Sequence, residues 1–329
     1  MRPLLVLVTA VLAWLLAPGA ALAQDPVTWG VRPATSADHG EARPNYAYTA
    51  APGETIRDAV AVTNHGDRPI TLLVYAADGF TTASGQLDLV PGGEKSTGVG
   101  AWTRLAEARV DVPAKATAEI PFAITVPADA EPGDHSGGVV TSLAVPENAD
   151  GVTVDRRLGT RIHLRVLGEA KPALAVRDLT VDYRGTLFGP GSATVSFRVE
   201  NTGNLRVSGE QTVSLQGLFG LDAHDQSLTV PELLPGASHE FTVPVADVAP
   251  LFRLKSSVRL TPRVEGASTD AQPAEVTATA TTWAVPWSVL GLLVLVAAAV
   301  VVLRWWLRRR RAATERRIAR AVEEALGRD

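Results

Sequence analysis

Between about Gln24 and Thr282 the chain alternates. TIRDAVAVTN (55–64), PITLLVYAAD (69–78), AEIPFAITVP (118–127), SATVSFRVEN (192–201), GEQTVSLQG (209–217), HEFTVPV (239–245) and SSVRLTPRV (256–264) exchange apolar and polar residues almost position by position. Gly, Pro, Asn and Asp fill the gaps between them. Period two sends successive side chains to opposite faces, so each run predicts a strand with one face in a core and the other in water. Short strands at this spacing predict antiparallel sandwiches. Amphipathic helical periodicity is nearly absent from the same stretch.

Two segments break the alternation. MRP followed by the apolar run LLVLVTAVLAWLLA and then Ala21-Leu22-Ala23 predicts a signal peptide over residues 1–23, cleaved before Gln24. No Cys follows that site, which argues against lipidation there. Residues 285–303 carry no charge, and only Pro286, Ser288 and Gly291 interrupt their apolar character. As a helix they would rise about 28 Å, enough to cross the hydrocarbon core. Trp283 and Trp287 mark one edge, and Trp305 and Trp306 the other, where indole rings favour the interface. Arg308, Arg309, Arg310 and Arg311 follow at once, so the positive-inside rule puts residues 304–329 in the cytoplasm as a basic tail. No LPxTG precedes the span. Ile318, Val322 and Leu326 make a narrow apolar stripe in the tail, suited to anionic lipid, a partner helix or simple solvation.

One phrase occurs twice. VTNHGD (62–67) and VENTGN (199–204) share V-x-N-x-G-[N/D], with their asparagines 137 residues apart. Pro52-Gly53 precedes the first and Pro190-Gly191 the second; a later strand ending in V-P follows each. The common order predicts one strand-to-strand turn in two related modules, 25–168 and 172–280, with the glycines at positive φ. The fold class is all-β: two tandem immunoglobulin-like β-sandwiches followed by a single transmembrane helix.

Charge and composition narrow the function. Nine arginines against four acids give residues 304–329 a net +5. With Arg2 alone in residues 1–23 and −4 overall, the middle carries −10. An acidic middle lacks the basic face that phosphate neutralisation requires, so no nucleic acid is expected as partner. There is no cysteine, hence no disulfide and no thiolate chemistry. His39, His65, His135, His163, His224 and His239 show no metal spacing. Asp134-His135-Ser136 has the letters of a triad, but strand neighbours face opposite ways and cannot relay a proton. Nucleophile elbow, Walker and dinucleotide motifs are absent. The expectation is a protein without catalysis, cofactor or metal.

Trp29, Tyr46, Tyr48, Tyr75, Phe80 and Trp102 all fall in the first module. Aromatic rings stack on sugar faces, but each is better explained by core packing, Tyr75 included. The stretch PADAEPGDHSGGVV (127–140) stops one strand at Pro127 and Pro132, turns at Gly133 and is expected to begin another near Gly138. Asp134, His135 and Ser136 are the leading polar binding candidates, with Trp29 and Trp102 as aromatic ones. The competing reading is a strand crossover shaped by its glycines.

In order along the chain stand W-G-V-R-P (29–33), Y-T-A-A-P-G (48–53), D-A-V-A-V-T-N (58–64), V-Y-A-A-D (74–78), G-A-W (100–102) and F-A-I-T-V-P-A-D-A-E-P-G-D-H-S-G-G-V-V (122–140). In this order and spacing the first module resembles the peptidoglycan-binding domain of WxL-interacting proteins, over about residues 27–145. The resemblance implies a Gram-positive, membrane-anchored surface protein contacting peptidoglycan or another wall glycan, and a WxL-like secreted partner. The second module matches that family's second domain poorly, so host binding does not carry over. The alternatives are a non-catalytic stalk or assembly subunit of a membrane surface complex, and last a cell-wall hydrolase.

Overall fold

A computed structural model describes residues 27–35, 42–147, 152–186, 189–266, 271 and 273–326, without side-chain detail for 144–154 and 312–326. The signal-peptide reading of residues 1–23 lies outside the described residues. The strands are β1 (Trp29–Pro33), β2 (Tyr46–Ala50), β3 (Thr55–Asn64), β4 (Ile70–Thr81), β5 (Leu87–Leu89), β6 (Thr103–Leu105), β7 (Arg109–Val112), β8 (Thr117–Thr125), β9 (Gly133–Glu147) and β10 (Val152–Val166). A single helical turn, α1 (Val99–Trp102), precedes β6. Then come β11 (Leu174–Arg184), β12 (Gly191–Asn201), β13 (Val207–Gln216), β14 (His224–Leu233), β15 (Ser238–Val248), β16 (Phe252–Val264), β17 (Val276–Ala284) and the long helix α2 (Trp287–Leu326). The protein is mostly β-sheet with one C-terminal apolar helix.

Two sheets, β1-β3-β8-β6 and β2-β10-β9-β4 with β5 and β7 on the far edge of β4, enclose one hydrophobic core from Trp29 to Val166. Sheets β11-β12-β15 and β14-β13-β16-β17 enclose a second, from Leu174 to Ala284. The two plans correspond strand for strand: β1-β3-β8 to β11-β12-β15, and β7-β4-β9-β10 to β14-β13-β16-β17. The first plan adds β2, which pairs in parallel with β10, together with β5, β6 and α1. Alternation explains the layers: along β12 every second residue from Gly191 to Asn201 is buried.

The repeated phrase shares one set of hydrogen bonds in both copies, to which Asn64 Nδ2 adds a bond to the Pro113 carbonyl. Asn64 and Asn201 end β3 and β12, and both are fully buried. Each accepts the N–H of the glycine two residues on at Oδ1, 2.9 Å from Gly66 and 3.0 Å from Gly203. Each donates from Nδ2 to the carbonyl four residues on, Arg68 or Leu205, and to a carbonyl of the neighbouring chain, Val112 or Leu233. The backbone N–H groups of Asn64 and Asn201 reach Ala116 and Ala237. The positive φ expected at Gly66 and Gly203 lies instead at Lys115 (57°) and Gly236 (74°), in the facing turn.

Gly203 is constrained by space. A Cβ there would stand 2.2 Å from the Lys171 carbonyl oxygen and 2.5 Å from Ala173 N, whereas at Gly66 it would meet only Asn64 Oδ1 at 3.2 Å. Gly203→Ala should therefore cost about 2 kcal/mol, by overpacking against backbone that cannot yield, and Gly66→Ala well under half of that. Urea midpoints of the two variants check this; equal shifts would refute it.

Three boundaries differ from expectation. β9 starts at Gly133 rather than near Gly138, because Gly133–Gly138 pair with Val166–Arg161 of β10. β17 runs to Ala284, beyond 280, since Ala284 pairs with Phe252. The helix begins at Trp287, two residues inside the predicted span, and continues unbroken through the arginine run. Pro286 precedes it and accepts the N–H of Leu290, a position where a missing donor costs nothing.

Candidate functional site

Three stretches, V-Y-A-A-D (74–78), G-A-W (100–102) and H-S-G-G (135–138), meet in space. Asp78, late in β4, accepts the backbone N–H groups of Thr97 (2.6 Å), Gly98 (2.8 Å) and Gly100 (2.7 Å), fixing the approach to α1. Gly100 lies so close to β4 that a Cβ would stand 2.6 Å from Ala77 C and Asp78 N. Gly137 is pressed against Ala77 O and Val99 in the same way, at 2.7 and 2.9 Å. Trp102, at the end of α1, packs its ring 4.8 Å from that of His135, whose Nε2 lies 2.9 Å from the Glu131 carbonyl. V-Y-A-A-D, G-A-W and H-S-G-G are thus one packed unit. In the sequence Asp78 stands only as the acid that closes V-Y-A-A-D (74–78), with no role attached to it.

The candidate Asp134 is buried at the junction of the two cores. Arg165 grips its carboxylate with two bonds of 2.7 Å, and the Arg206 backbone N–H donates to it at 2.8 Å. The Arg206 guanidinium lies 3.8 Å away and pairs with Glu232. Arg165 also donates to the Glu265 carbonyl. Asp134 N donates to the Asn204 carbonyl, while Asn204 Nδ2 donates to the carbonyls of Pro132 and Glu169. Gly133 is indispensable here: a Cβ would lie 2.3 Å from Asn204 O. The second copy of the repeated phrase therefore docks on Pro132-Gly133-Asp134, and Asp134 serves as a joint. Arg165 and Arg206 were invisible to sequence reasoning because neither stands in a motif.

Ser136 Oγ lies 3.4 Å from Nδ1 of His163, a residue that lines a small recess with Tyr48, Asp134, Arg165 and Arg206. Burial, reinforced by the Arg206 charge, pushes the His163 imidazole down to about 4. It is neutral and weakly basic, with a long contact to the hydroxyl; that geometry does not activate a nucleophile. The depressed value has a sign for stability. The unfolded chain takes up a proton near pH 6.5 that the folded one refuses until about 4, so stability falls as pH drops through that window. Melting temperatures between pH 7.5 and 4.5 should decline, and the slope should be shallower in His163→Gln; parallel slopes would refute the assignment.

Among the aromatic candidates, Trp29 is a core residue whose Nε1 donates to Thr141 Oγ1 at 2.8 Å. Trp102 is half-buried on His135. Tyr46 lies in the core with its hydroxyl on the Ala59 carbonyl. Burial, then the hydrogen bond to Asp58, raises the Tyr48 phenol well above its ordinary range. Tyr75 departs from expectation. Leu72 and Val74 take the inward positions of β4, leaving Tyr75 on the opposite face, where its hydroxyl accepts Gly92 N–H at 3.1 Å.

Tyr75 lines a groove with Leu73, Glu94, Ser96, Ser142 and Asp155. The groove lies in the gap between β7, which pairs with Ile70–Leu73 of β4, and β5, which pairs with Gly79–Thr81; the gap is bounded by the bonds of Val74 N–H to the Ala108 carbonyl and of Val90 N–H to the Asp78 carbonyl. Ser142 Oγ donates to Asp155 Oδ1 on its wall. One half-buried ring on a wall that is otherwise mostly apolar (Leu73, Val74, Ala76, Ala77, Pro91), with Glu94, Ser96, Ser142 and Asp155 as its polar groups, is a lining suited to a polyhydroxylated ligand or an extended chain. Among the described residues no group of three or more His, Asp or Glu side chains is placed to hold a metal.

At the other end, Trp287–Arg311 is long and apolar enough to cross a membrane, and none of its apolar window is buried. Arg309 lies 3.9 Å over the Trp305 ring and Arg310 3.5 Å over that of Trp306, one turn apart in each pair. Trp287, Arg308 and Arg311 complete the flanks.

No family model matches the chain, and no curated protein does. Among solved structures it is similar to the class 5 fimbriae chaperone CfaA, at 12% identity over 79% of this chain and 100% of that one, with a TM-score of 0.37. A chain of the Salmonella enterica SafA pilin–SafB chaperone complex shares 12% identity over 78% and 98%, at 0.33. The Escherichia coli chaperone DraB shares 10% over 72% and 91%, also at 0.33. At such scores the likeness carries no inference about what this chain binds.

Proposed function

We propose that this chain is a binding protein of a Gram-positive cell surface, related to the WxL-interacting proteins and held by one membrane span, with two immunoglobulin-like sandwiches outside. The basic tail then lies in the cytoplasm, as the Arg308–Arg311 run dictates. The function is contact with peptidoglycan or another wall glycan, and with a secreted WxL-like partner. The observation that carries it is the groove beside Tyr75: a ring left off the core, with Glu94, Ser96, Ser142 and Asp155 around it, in the gap between β7 and β5 on the module that bears the resemblance.

Full-length protein in nanodiscs should be retained on purified peptidoglycan. Tyr75→Ala should weaken retention about tenfold, equivalent to about 1.4 kcal/mol. Absence of retention in the wild type would remove the wall ligand. One observation favours a second reading, a stalk or assembly subunit: the Asp134 joint fixes the two modules to each other, as a spacer requires. That reading expects no wall retention but co-purification with a membrane or secreted protein.

A further inference from the structure

The end of the second module nearest α2 is apolar and outward-facing. Phe219 is 90% exposed, Trp283 71%, and Leu218, Leu221 and Phe252 are exposed beside them. The sheet register sets them at one level. Gln216, Lys255 and Thr281 lie in a row across β13, β16 and β17, so Leu218 and Phe219 project past that row, to the height where Phe252 faces Ala284. Trp287, itself exposed, begins the helix only three steps after Ala284, at most about 11 Å of chain.

The exposure is built in. Phe219, Asp222 and Phe252 hold φ of 59°, 53° and 63°, left-handed values that side chains other than glycine rarely adopt. Gly217 N donates to Leu221 O at 2.7 Å, and Asp222 accepts Ala249 N–H at 2.6 Å, so the loop is tied down in that conformation. Gly217 packs on Leu251, where a Cβ would meet Cδ1 at 2.4 Å. Backbone strain is retained where the surroundings enforce it, and here it turns an aromatic ring away from the core. Arg253, paired in register with Trp283, supplies a cation among the apolar side chains.

We propose that Leu218, Phe219, Leu221, Phe252 and Trp283 form a collar that seats the second module in the outer interface of the bilayer. The occupant is lipid because the tether leaves no alternative distance: a helix entering the membrane at Trp287 holds these rings at headgroup depth, where aromatic side chains partition and Arg253 meets phosphate. The collar rests on the single-span reading above and adds that the module stands on the membrane in a fixed attitude instead of swinging from its anchor.

The chain has no cysteine, which permits single-cysteine probes in the full-length protein. Phe219→Cys, Leu293→Cys and Lys95→Cys, each carrying an environment-sensitive fluorophore, are reconstituted into phosphatidylcholine–phosphatidylglycerol vesicles with nitroxide lipids of two depths. The expected result is shallow-nitroxide quenching at Phe219, deep-nitroxide quenching at Leu293, and none at Lys95. Quenching at Leu293 without quenching at Phe219, or at a Leu218→Cys probe, overturns the collar and leaves the anchor standing. No quenching at Leu293 overturns the anchor, and the collar with it.

Discussion

Asp134→Ala should destabilise the protein by about 3–5 kcal/mol, the cost of leaving a buried partner charge uncompensated. The Asp134 side chain is 3% exposed, against 13% for Arg165 and 9% for Arg206. Its removal strips Arg165 of two charge-assisted bonds and the Arg206 N–H of its acceptor. Glu232 still holds one end of Arg206, so Arg165 bears most of the loss. Because this carboxylate bridges two cores, the wild type should melt in one transition and Asp134→Ala in two. Calorimetry of the full-length protein checks both points. Asp134→Asn, which keeps the shape and one acceptor, should fall between. A single transition with a loss below about 1 kcal/mol would show that the joint is held elsewhere.

Asn201→Ala should cost about 3 kcal/mol or more. Three backbone groups lose their partner: the carbonyls of Leu205 and Leu233, both in buried bonds, and the part-buried Gly203 N–H. Each unsatisfied buried group carries roughly 1–3 kcal/mol. Asn64→Ala should match it, since Asn64 serves Gly66, Arg68 and Val112 in the same pattern. The two sites share no partner, so the double variant should show the sum, measured by urea denaturation. A small effect at one site and a large one at the other would mean that the repeated phrase has different physical content in its two copies.

What the sequence determined about this protein is local. Alternation named β3, β4, β8, β12, β13, β15 and β16, because period two follows from the backbone alone. The V-x-N-x-G phrase marked one turn in two places, because an asparagine amide of that reach satisfies the same backbone groups wherever the chain reverses. The uncharged run with tryptophan and arginine flanks marked a helix long and apolar enough to cross a membrane, because length and edge chemistry are properties of the sequence. The tertiary structure decided what depends on docking. Asp134, Arg165 and Arg206 lie 31 and 72 residues from the first to each of the other two, and no periodicity links them. Asp134 was legible as a polar residue among glycines, a plausible ligand contact; burial against two arginines turned it into a joint. Gly66 and Gly203 are equivalent in sequence, yet only Gly203 is crossed by the chain at Lys171–Ala173. Tyr75 and Val74 both suit a core, and strand pairing chose Val74. Long-range packing places charges and backbones next to one another at distances that the order of residues does not state, and that is why these neighbours came from the fold.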